Sequence, residues 1–390
     1  MQKKNILVVI NYMRSTSETF IWDELEYLQR IEDVKVSVLH FGSTEDDAYD
    51  YGVDLPHNAL DRWKALLRKP SIDLFRSLRY RNGLNGTLGF LMRYFQKNKF
   101  DVIYCHFGTN GKKIAQLKSL GIIPSETRLV VRFHGFEMDF TKFPEGFYDI
   151  LKKHADMIFY GSLHAKKDLE KYGVLEENAH MLPVGVSEKN IQSVPQIIDK
   201  IDKAYRIISV GRLVPFKGYK VALKVMKLLK ERSAEKFSYT IIGSGEQLDE
   251  LLQIIVDDGL EDVVEVIDGM NHEDVISRLQ NSDIYLYTGI YDANNRAETQ
   301  GLANLEAMGT GLPIIAAAVG GVVDYIIDGV NGFLVPAENV EGFVEKLIHV
   351  MEEYDSEEIL RLRENAVKMV QENYCQEALN EKLVHLLLGE

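Results

Sequence analysis

The sequence predicts an α/β protein made of two doubly wound parallel sheets, and three observations lead there. Short apolar runs alternate with stretches of helical periodicity, which is the pattern of buried parallel strands and their crossover helices. The alternation runs from Ile6 to about Val184 and begins again at Tyr205, after a polar stretch containing Pro195. A chain of 390 residues is also long enough for two domains of ~100–200 residues each.

In the first series, Ile6–Ile10 is a continuous apolar run suited to a central strand. Ser15, Thr16 and Ser17 offer N-caps to a helix through Phe20, Leu25 and Leu28. Strands follow at Val34–Leu39, Asp101–Cys105, Leu129–Phe133, Met157–Tyr160 and His180–Val184. Helices are expected near 110–120, 145–154 and 162–172. Doubly wound sheets bind ligands beyond the carboxyl ends of their strands. His106 and His134 each follow a predicted strand, so either faces that crevice or is simply a polar loop residue. The second series has strands at Arg206–Val210, Ser238–Ile242, Val263–Ile267, Asp283–Tyr287 and Pro313–Ala316, with helices near 218–231, 246–257, 272–280 and 301–309. From Glu338 the chain is mostly helical. Its last helix, 375–388, carries Leu379, Leu383, Leu386 and Leu387 on one side.

Composition narrows the function. The net charge is −14, which argues against a general nucleic-acid binder. Two cysteines far apart, Cys105 and Cys375, fit a reducing cytoplasm better than a disulfide framework. The opening MQKKNILVVI is expected to be a first strand rather than a signal peptide. The chain has no apolar run of the ~18 residues needed for a membrane span. Residues 61–99 depart from the acidic average. They hold ten Lys/Arg against Asp61 and Asp73, with Trp63, Leu66, Leu67, Phe75, Phe90 and Phe95 among those interleaved at helical spacing. Such a segment is either a basic amphipathic surface for an anionic membrane or acceptor, or a set of ordinary helices with a solvated basic face.

The densest chemistry lies in Arg296–Pro313, RAETQGLANLEAMGTGLP. Gly301 stands where a loop becomes a helix, and a helix N-terminus presents free N–H groups and partial positive charge to a phosphate. Glu298 precedes that seat and Glu306 follows it on the helix, where side chains lean back toward the N-terminus. Carboxylates do not bind a diphosphate, but they grip neighbouring hydroxyls. Phosphate beside hydroxyls describes a sugar nucleotide. Two other loops at the same sheet edge agree with this. GRLVPFKG supplies Arg212 and Lys217 to neutralise a departing diphosphate, and GSGEQ supplies Gly243 and Gly245, which let backbone approach a ligand. Each motif alone is weak, and their coincidence is the signal. No Asp-x-Asp and no His/Cys cluster at ligand spacing occurs, so no metal is expected.

GRLVPFKG, IIGSGE and ETQGLANLEAMGTGLP, in this order, resemble the retaining GT-B glycosyltransferases of family 4, strongly over about 205–340 and less so before it. NYMRSTSETF resembles the SETF stretch of exopolysaccharide glycosyltransferases of the colanic-acid and amylovoran type. The resemblance implies a GT-B fold, with two Rossmann-like domains facing a central cleft. It implies an acceptor-side domain over 1–186, a linker over 187–204, a nucleotide-sugar domain over 205–374 and a final helix, 375–390, returning to the first domain. It implies that Arg212 and Lys217 bind the donor diphosphate, Glu298 the donor-sugar hydroxyls and Glu306 the ribose. Gly301, Leu302 and Ala303 would meet the phosphates through backbone, Gly243 and Gly245 would line the nucleotide pocket, and His134 would reach the donor sugar. Asn11, Tyr12 and Met13 stand where the family usually has glycines beside the diphosphate. The implied reaction moves a sugar, with retention, from a nucleotide-sugar donor to a saccharide or lipid-linked acceptor, with no further cofactor. It would take place in the cytoplasm or on the inner face of the membrane. A sugar-nucleotide epimerase on this fold and a non-catalytic nucleotide-sugar-binding subunit are the alternatives. A dinucleotide-dependent dehydrogenase fits less well, because no G-x-G-x-x-G follows the first strand.

Overall fold

The computed structural model describes residues 3–12, 19–42, 52–54, 87–175, 177–192 and 204–389. The chain divides into two compact units, one holding residues 1–161, 165–182 and 380–390, the other 162–164 and 183–379.

The first unit is built on seven parallel strands. In chain order its elements are β1 (Lys4–Tyr12), α1 (Thr19–Arg30), β2 (Val34–Gly42), β3 (Gly52–Asp54), α2 (Thr87–Lys97), β4 (Val102–His106), α3 (Gly108–Ser119), β5 (Arg128–Arg132), α4 (Asp149–His154), β6 (Met157–Tyr160), α5 (Leu163–Tyr172) and β7 (Ala179–Met181). The strands lie in the order β3-β2-β1-β4-β5-β6-β7. The apolar run Ile6–Ile10 is buried throughout, as expected of a central strand covered on both faces, and β1 has a neighbouring strand on each side, Ile6 pairing with Val36 of β2 and Val102 of β4.

The second unit repeats the plan with β8 (Tyr205–Val210), α6 (Tyr219–Arg232), β9 (Phe237–Ile242), α7 (Leu248–Asp257), β10 (Val264–Ile267), α8 (His272–Gln280), β11 (Ile284–Tyr287), α9 (Leu302–Gly309), β12 (Ile314–Ala317), β13 (Phe333–Val335), α10 (Val340–Glu352), α11 (Glu357–Asn373) and α12 (Gln376–Leu388). Its sheet order is β10-β9-β8-β11-β12-β13, again all parallel. In both sheets the strand order reverses direction beside the first strand, between β1 and β4 and between β8 and β11. Ligand crevices form at such switch points. The loops that matter are therefore those after β1, β4, β8 and β11.

Several expectations change in detail. Strand β13 was not foreseen, since three residues between Gly332 and Pro336 show no periodicity. It is held by pairing Phe333, Leu334 and Val335 with Ile315, Ala316 and Ala317. The strand expected over His180–Val184 ends at Met181. The backbone of Val184 instead pairs with the side-chain amide of Gln300, whose Nε2 donates to the Val184 oxygen (2.7 Å) and whose Oε1 accepts from its N–H (2.8 Å). The SETF residues Ser17 and Glu18, the proposed caps and Met13 lie outside the described residues, as do 61–86 of the basic segment and 193–203 of the linker. Within α2, Leu91, Met92 and Phe95 are buried while Lys97, and Lys99 just after the helix, are exposed, so this part has its apolar face in the core and its charges in solvent. Helix α12 contributes residues to both units. In the first, Arg128 donates to the carbonyls of Leu387 (2.8 Å) and Leu386 (3.2 Å), which end that helix. Among the described residues, no helix is long and apolar enough to cross a membrane.

Candidate active site

In the second unit three loops converge at the carboxyl ends of β8, β9 and β11. The loop after β8 runs from Gly211 to Gly218 and enters α6. A short 3₁₀ turn, Pro215–Lys217, ends at Gly218 with φ 73°, the left-handed region that glycine reaches at least cost. A Cβ there would lie 1.8 Å from the Thr288 carbonyl oxygen, so the close approach of the loops after β8 and β11 also excludes any side chain. Thr288 Oγ1 donates to the Gly218 carbonyl at 2.9 Å and fastens the two loops together. The loop after β9 crosses the same region. A Cβ on Gly243 would lie 1.9 Å from the Gly211 carbonyl oxygen, and one on Gly245 2.5 Å from that of Leu213. The space these two glycines leave is thus filled by the protein's own backbone.

This packing sets Lys217 against Glu298. Lys217 Nζ donates to Glu298 Oε2, and both side chains are largely buried. Burial alone would raise the Glu298 carboxyl. The Lys217 ammonium, the charge of Arg212 and the Thr299 N–H outweigh it and hold the carboxyl below its ordinary value. Lys217 Nζ also lies 5.7 Å from the Tyr287 ring centroid. Arg212 is exposed at the front of the same loop, with its guanidinium 6.0 Å from the Phe216 ring. The Glu298 backbone is fixed independently, because its carbonyl accepts from the Gly321 N–H at 2.8 Å. Upstream, Asp292 accepts from the N–H groups of Asn294 and Arg296, both at 2.9 Å, and from Arg296 Nε at 2.7 Å. That closed loop delivers the chain to Glu298 in a defined direction.

Helix α9 starts three residues beyond Thr299. Its N-cap is Gly301, at φ 84° and with no side-chain cap. The Gly301 carbonyl accepts from Asn304 N at 3.0 Å and Leu305 N at 3.3 Å. The N–H groups of Leu302 and Ala303 have no hydrogen-bond partner among the described residues. They are free donors at the positive end of a helix, beside Glu298. Farther along α9, Glu306 is buried and its Oε1 lies 2.6 Å from Nε2 of His272, the first residue of α8. His272 was not among the residues singled out from sequence. A lone histidine after an Asn cap carries no signal until the fold places it opposite Glu306.

The first unit holds His134 and His106. His134 follows β5 and is half-buried, packed against the rings of Phe20 and Phe107 at 5.0 and 4.8 Å between centroids. Its backbone N–H and that of Gly135 donate to Glu137 at 2.8 and 3.1 Å. Glu137 is fully buried, and burial pushes its carboxyl up to about 7 against the pull of the backbone N–H groups around it. His106, at the end of β4, is fully buried behind His134, with its Nδ1 3.1 Å from His134 Nε2. It does not face solvent in a crevice, because the strand end turns its ring inward. Behind it, Glu24 from α1 pairs with Arg132, accepts from the Tyr104 hydroxyl at 3.0 Å and lies 3.6 Å from His106 Nε2. Burial, and then the Arg132 charge, holds His106 well below its ordinary value. Burial, His106 and Arg132 do the same to His134. Asn11 accepts from Asn110 Nδ2 at 2.9 Å.

Residues 190–369, just under half of the chain, match the family described as Glycosyl transferases group 1. The chain is 26% identical over 292 residues to the colanic acid biosynthesis glycosyltransferase WcaL of Escherichia coli, an alignment covering 74% of this chain and 70% of that protein. It is 32% identical over 152 residues to the amylovoran biosynthesis glycosyltransferase AmsK of Erwinia amylovora, covering 39% and 37%. In structure it superposes on Anabaena Alr3699/HepE, solved with UDP-glucose, with a TM-score of 0.76 at 17% identity, covering 99% of this chain and 100% of the other. The fold is GT-B, two Rossmann-like domains.

Proposed function

We propose that the chain is a retaining, metal-independent glycosyltransferase that moves a sugar from a nucleotide-sugar donor to a saccharide or lipid-linked acceptor in surface-polysaccharide synthesis. The carrying observation is the Lys217–Glu298 pair set beside the two free N–H groups of Leu302 and Ala303. In this reading the donor diphosphate sits against Arg212, Lys217 and the start of α9. Glu298 accepts hydrogen bonds from the sugar hydroxyls, and Glu306, steadied by His272, takes the ribose. Gly243 and Gly245 line the nucleotide pocket, and His134 takes a sugar hydroxyl. The positive groups stabilise the diphosphate as the glycosidic bond breaks. The acceptor hydroxyl attacks from the same face and gives its proton to the leaving phosphate, so no enzyme nucleophile is needed. WcaL and AmsK, named for colanic acid and amylovoran biosynthesis, and the UDP-glucose complex of HepE support the substrate class.

The test is a panel of UDP-, GDP- and ADP-sugars. One of them is expected to bind and to be consumed with its anomeric configuration kept, at a rate that a chelator does not change. Binding of none, or inversion at the anomeric carbon, would overturn the reading. The same proposal places the enzyme at the cytoplasmic face of a membrane through residues 61–99. Wild-type protein should co-sediment with anionic liposomes, and a version with the charges of 62–81 reversed should not. Equal binding by both would remove the membrane contact.

A further inference from the structure

The first unit contains a buried polar chain that the proposed reaction does not use directly. It runs from Arg132 and Tyr104 through Glu24 to His106 and ends at His134. All of these but His134 are nine-tenths or more buried. The 3.1 Å separation of His106 Nδ1 and His134 Nε2 leaves room for one proton between two nitrogens. Either ring could own it. Which one does is decided at the far side of His106.

There, His106 Nε2 has no hydrogen-bond partner and faces Glu24 Oε2 at 3.6 Å. Burial raises the Glu24 carboxyl, and the ion pair with Arg132 opposes that and favours its ionised form, which only accepts. A bare lone pair on His106 Nε2 would oppose that oxygen, whereas an N–H points at it favourably. His106 therefore carries its proton on Nε2. A neutral imidazole has only one N–H, so His106 Nδ1 is an acceptor and His134 must supply the bridging proton. We propose that Glu24 and His106 are positioning residues that lock His134 as its Nε2–H tautomer and leave its Nδ1 as a hydrogen-bond acceptor.

The consequence is a statement about what His134 recognises. Its Nδ1 has no partner among the described residues. A bare ring nitrogen takes a hydroxyl or N–H donor and is repelled by phosphate oxygen. On the proposed glycosyl transfer, on which this step rests, its target is a sugar hydroxyl rather than a phosphate.

The experiment is long-range ¹H–¹⁵N correlation on full-length protein labelled at histidine, with His134 signals assigned by their loss in His134→Gln. In the wild type, His134 Nε2 is expected to be pyrrole-type and Nδ1 pyridine-type. In Glu24→Gln the amide oxygen stays on Arg132 and the NH₂ turns to His106. That reverses every proton in the chain, so the two His134 nitrogens exchange character. An Nδ1–H tautomer in the wild type, or an unchanged His134 in folded Glu24→Gln, overturns the proposal. If Glu24→Gln does not fold, the scalar coupling across the His134 Nε2–H···Nδ1 His106 bond in the wild type decides, and its absence counts against the relay. With a nucleotide sugar that is turned over, Glu24→Gln should lower kcat/KM about tenfold, the scale of one misdirected hydrogen bond. An inverted tautomer with unchanged kcat/KM would overturn the role given to Nδ1. Failure of every nucleotide sugar would refute glycosyl transfer and leave the tautomer result standing.

Discussion

Glu298→Ala is expected to lose about 10²- to 10³-fold in turnover, the scale seen when one preorganised charge-stabilising group is removed, while the protein stays folded. Lys217→Ala should fall by a similar factor. The two side chains hold each other, so each single change also releases the survivor. Lys217→Ala leaves a largely buried carboxylate without its nearest cation, and burial then pushes Glu298 upward. Glu298→Ala leaves an ammonium free to swing out of line with the diphosphate. The double variant is therefore expected to be little worse than the poorer single one. The pair also leaves a signature in stability. A carboxyl held below its ordinary value stabilises the fold above the unfolded carboxylate range, and that contribution is lost as pH falls through the depressed folded value. Steady-state kinetics with the donor found by the nucleotide-sugar panel, alongside thermal melts, checks all of this. Near wild-type turnover in either single variant would sink the assignment.

Arg132→Met should cost about 3–5 kcal/mol of stability, the range for breaking one partner out of a buried ion pair. Arg132 is fully enclosed, pairs with Glu24 and also donates to the Leu182 carbonyl at 3.0 Å. Methionine keeps most of the aliphatic stem and removes the charge. Glu24 then faces only Tyr104 and His106, and burial, already the largest influence raising its carboxyl, goes unopposed by a cation. The sign follows from linkage. A carboxyl raised in the folded state binds its proton more tightly there than in the unfolded chain, so its contribution to stability shrinks as pH rises above the unfolded value. The gap between variant and wild type should thus be widest near neutrality and narrow as pH falls. Denaturant melts at several pH values measure it, and a pH-independent gap would show that Glu24 is not the group left stranded.

Much of the fold was legible because parallel strands buried on both faces read as continuous apolar runs. Ile6–Ile10 is one, and Ile207 and Ile208 at the centre of β8 belong to another. β13 and the early end of β7 were not legible, since each depends on a partner distant in sequence, Ile315–Ala317 for the first and Gln300 for the second. The second unit's candidate residues were visible because loops at one sheet edge share a chemical theme. The structure brings Lys217 to Glu298 and carries Gly243 against Gly211. His272 and the Glu24–His106 relay were hidden for a different reason. A glutamate in α1 with a buried edge looks like any amphipathic position until the sheet order sets α1 beside β4 and β5. His106 was visible as a residue after a strand, but sequence could not say whether its ring turned out or in.

The bare start of α9 also bears on attempts to make this protein more robust. Serine, threonine or aspartate at a helix N-cap typically adds about 1 kcal/mol over a residue that cannot cap, and capping is among the first changes tried in thermostabilisation. Here Gly301 sits at φ 84°, where such residues fit poorly, and a Cβ would come within 2.9 Å of the Tyr325 hydroxyl. On the proposed reading, a side chain that did satisfy Leu302 and Ala303 would also occupy the donors of the diphosphate seat. Local stability has been left unclaimed at this turn of helix, and an engineer who collected it would then be trading turnover for shelf life.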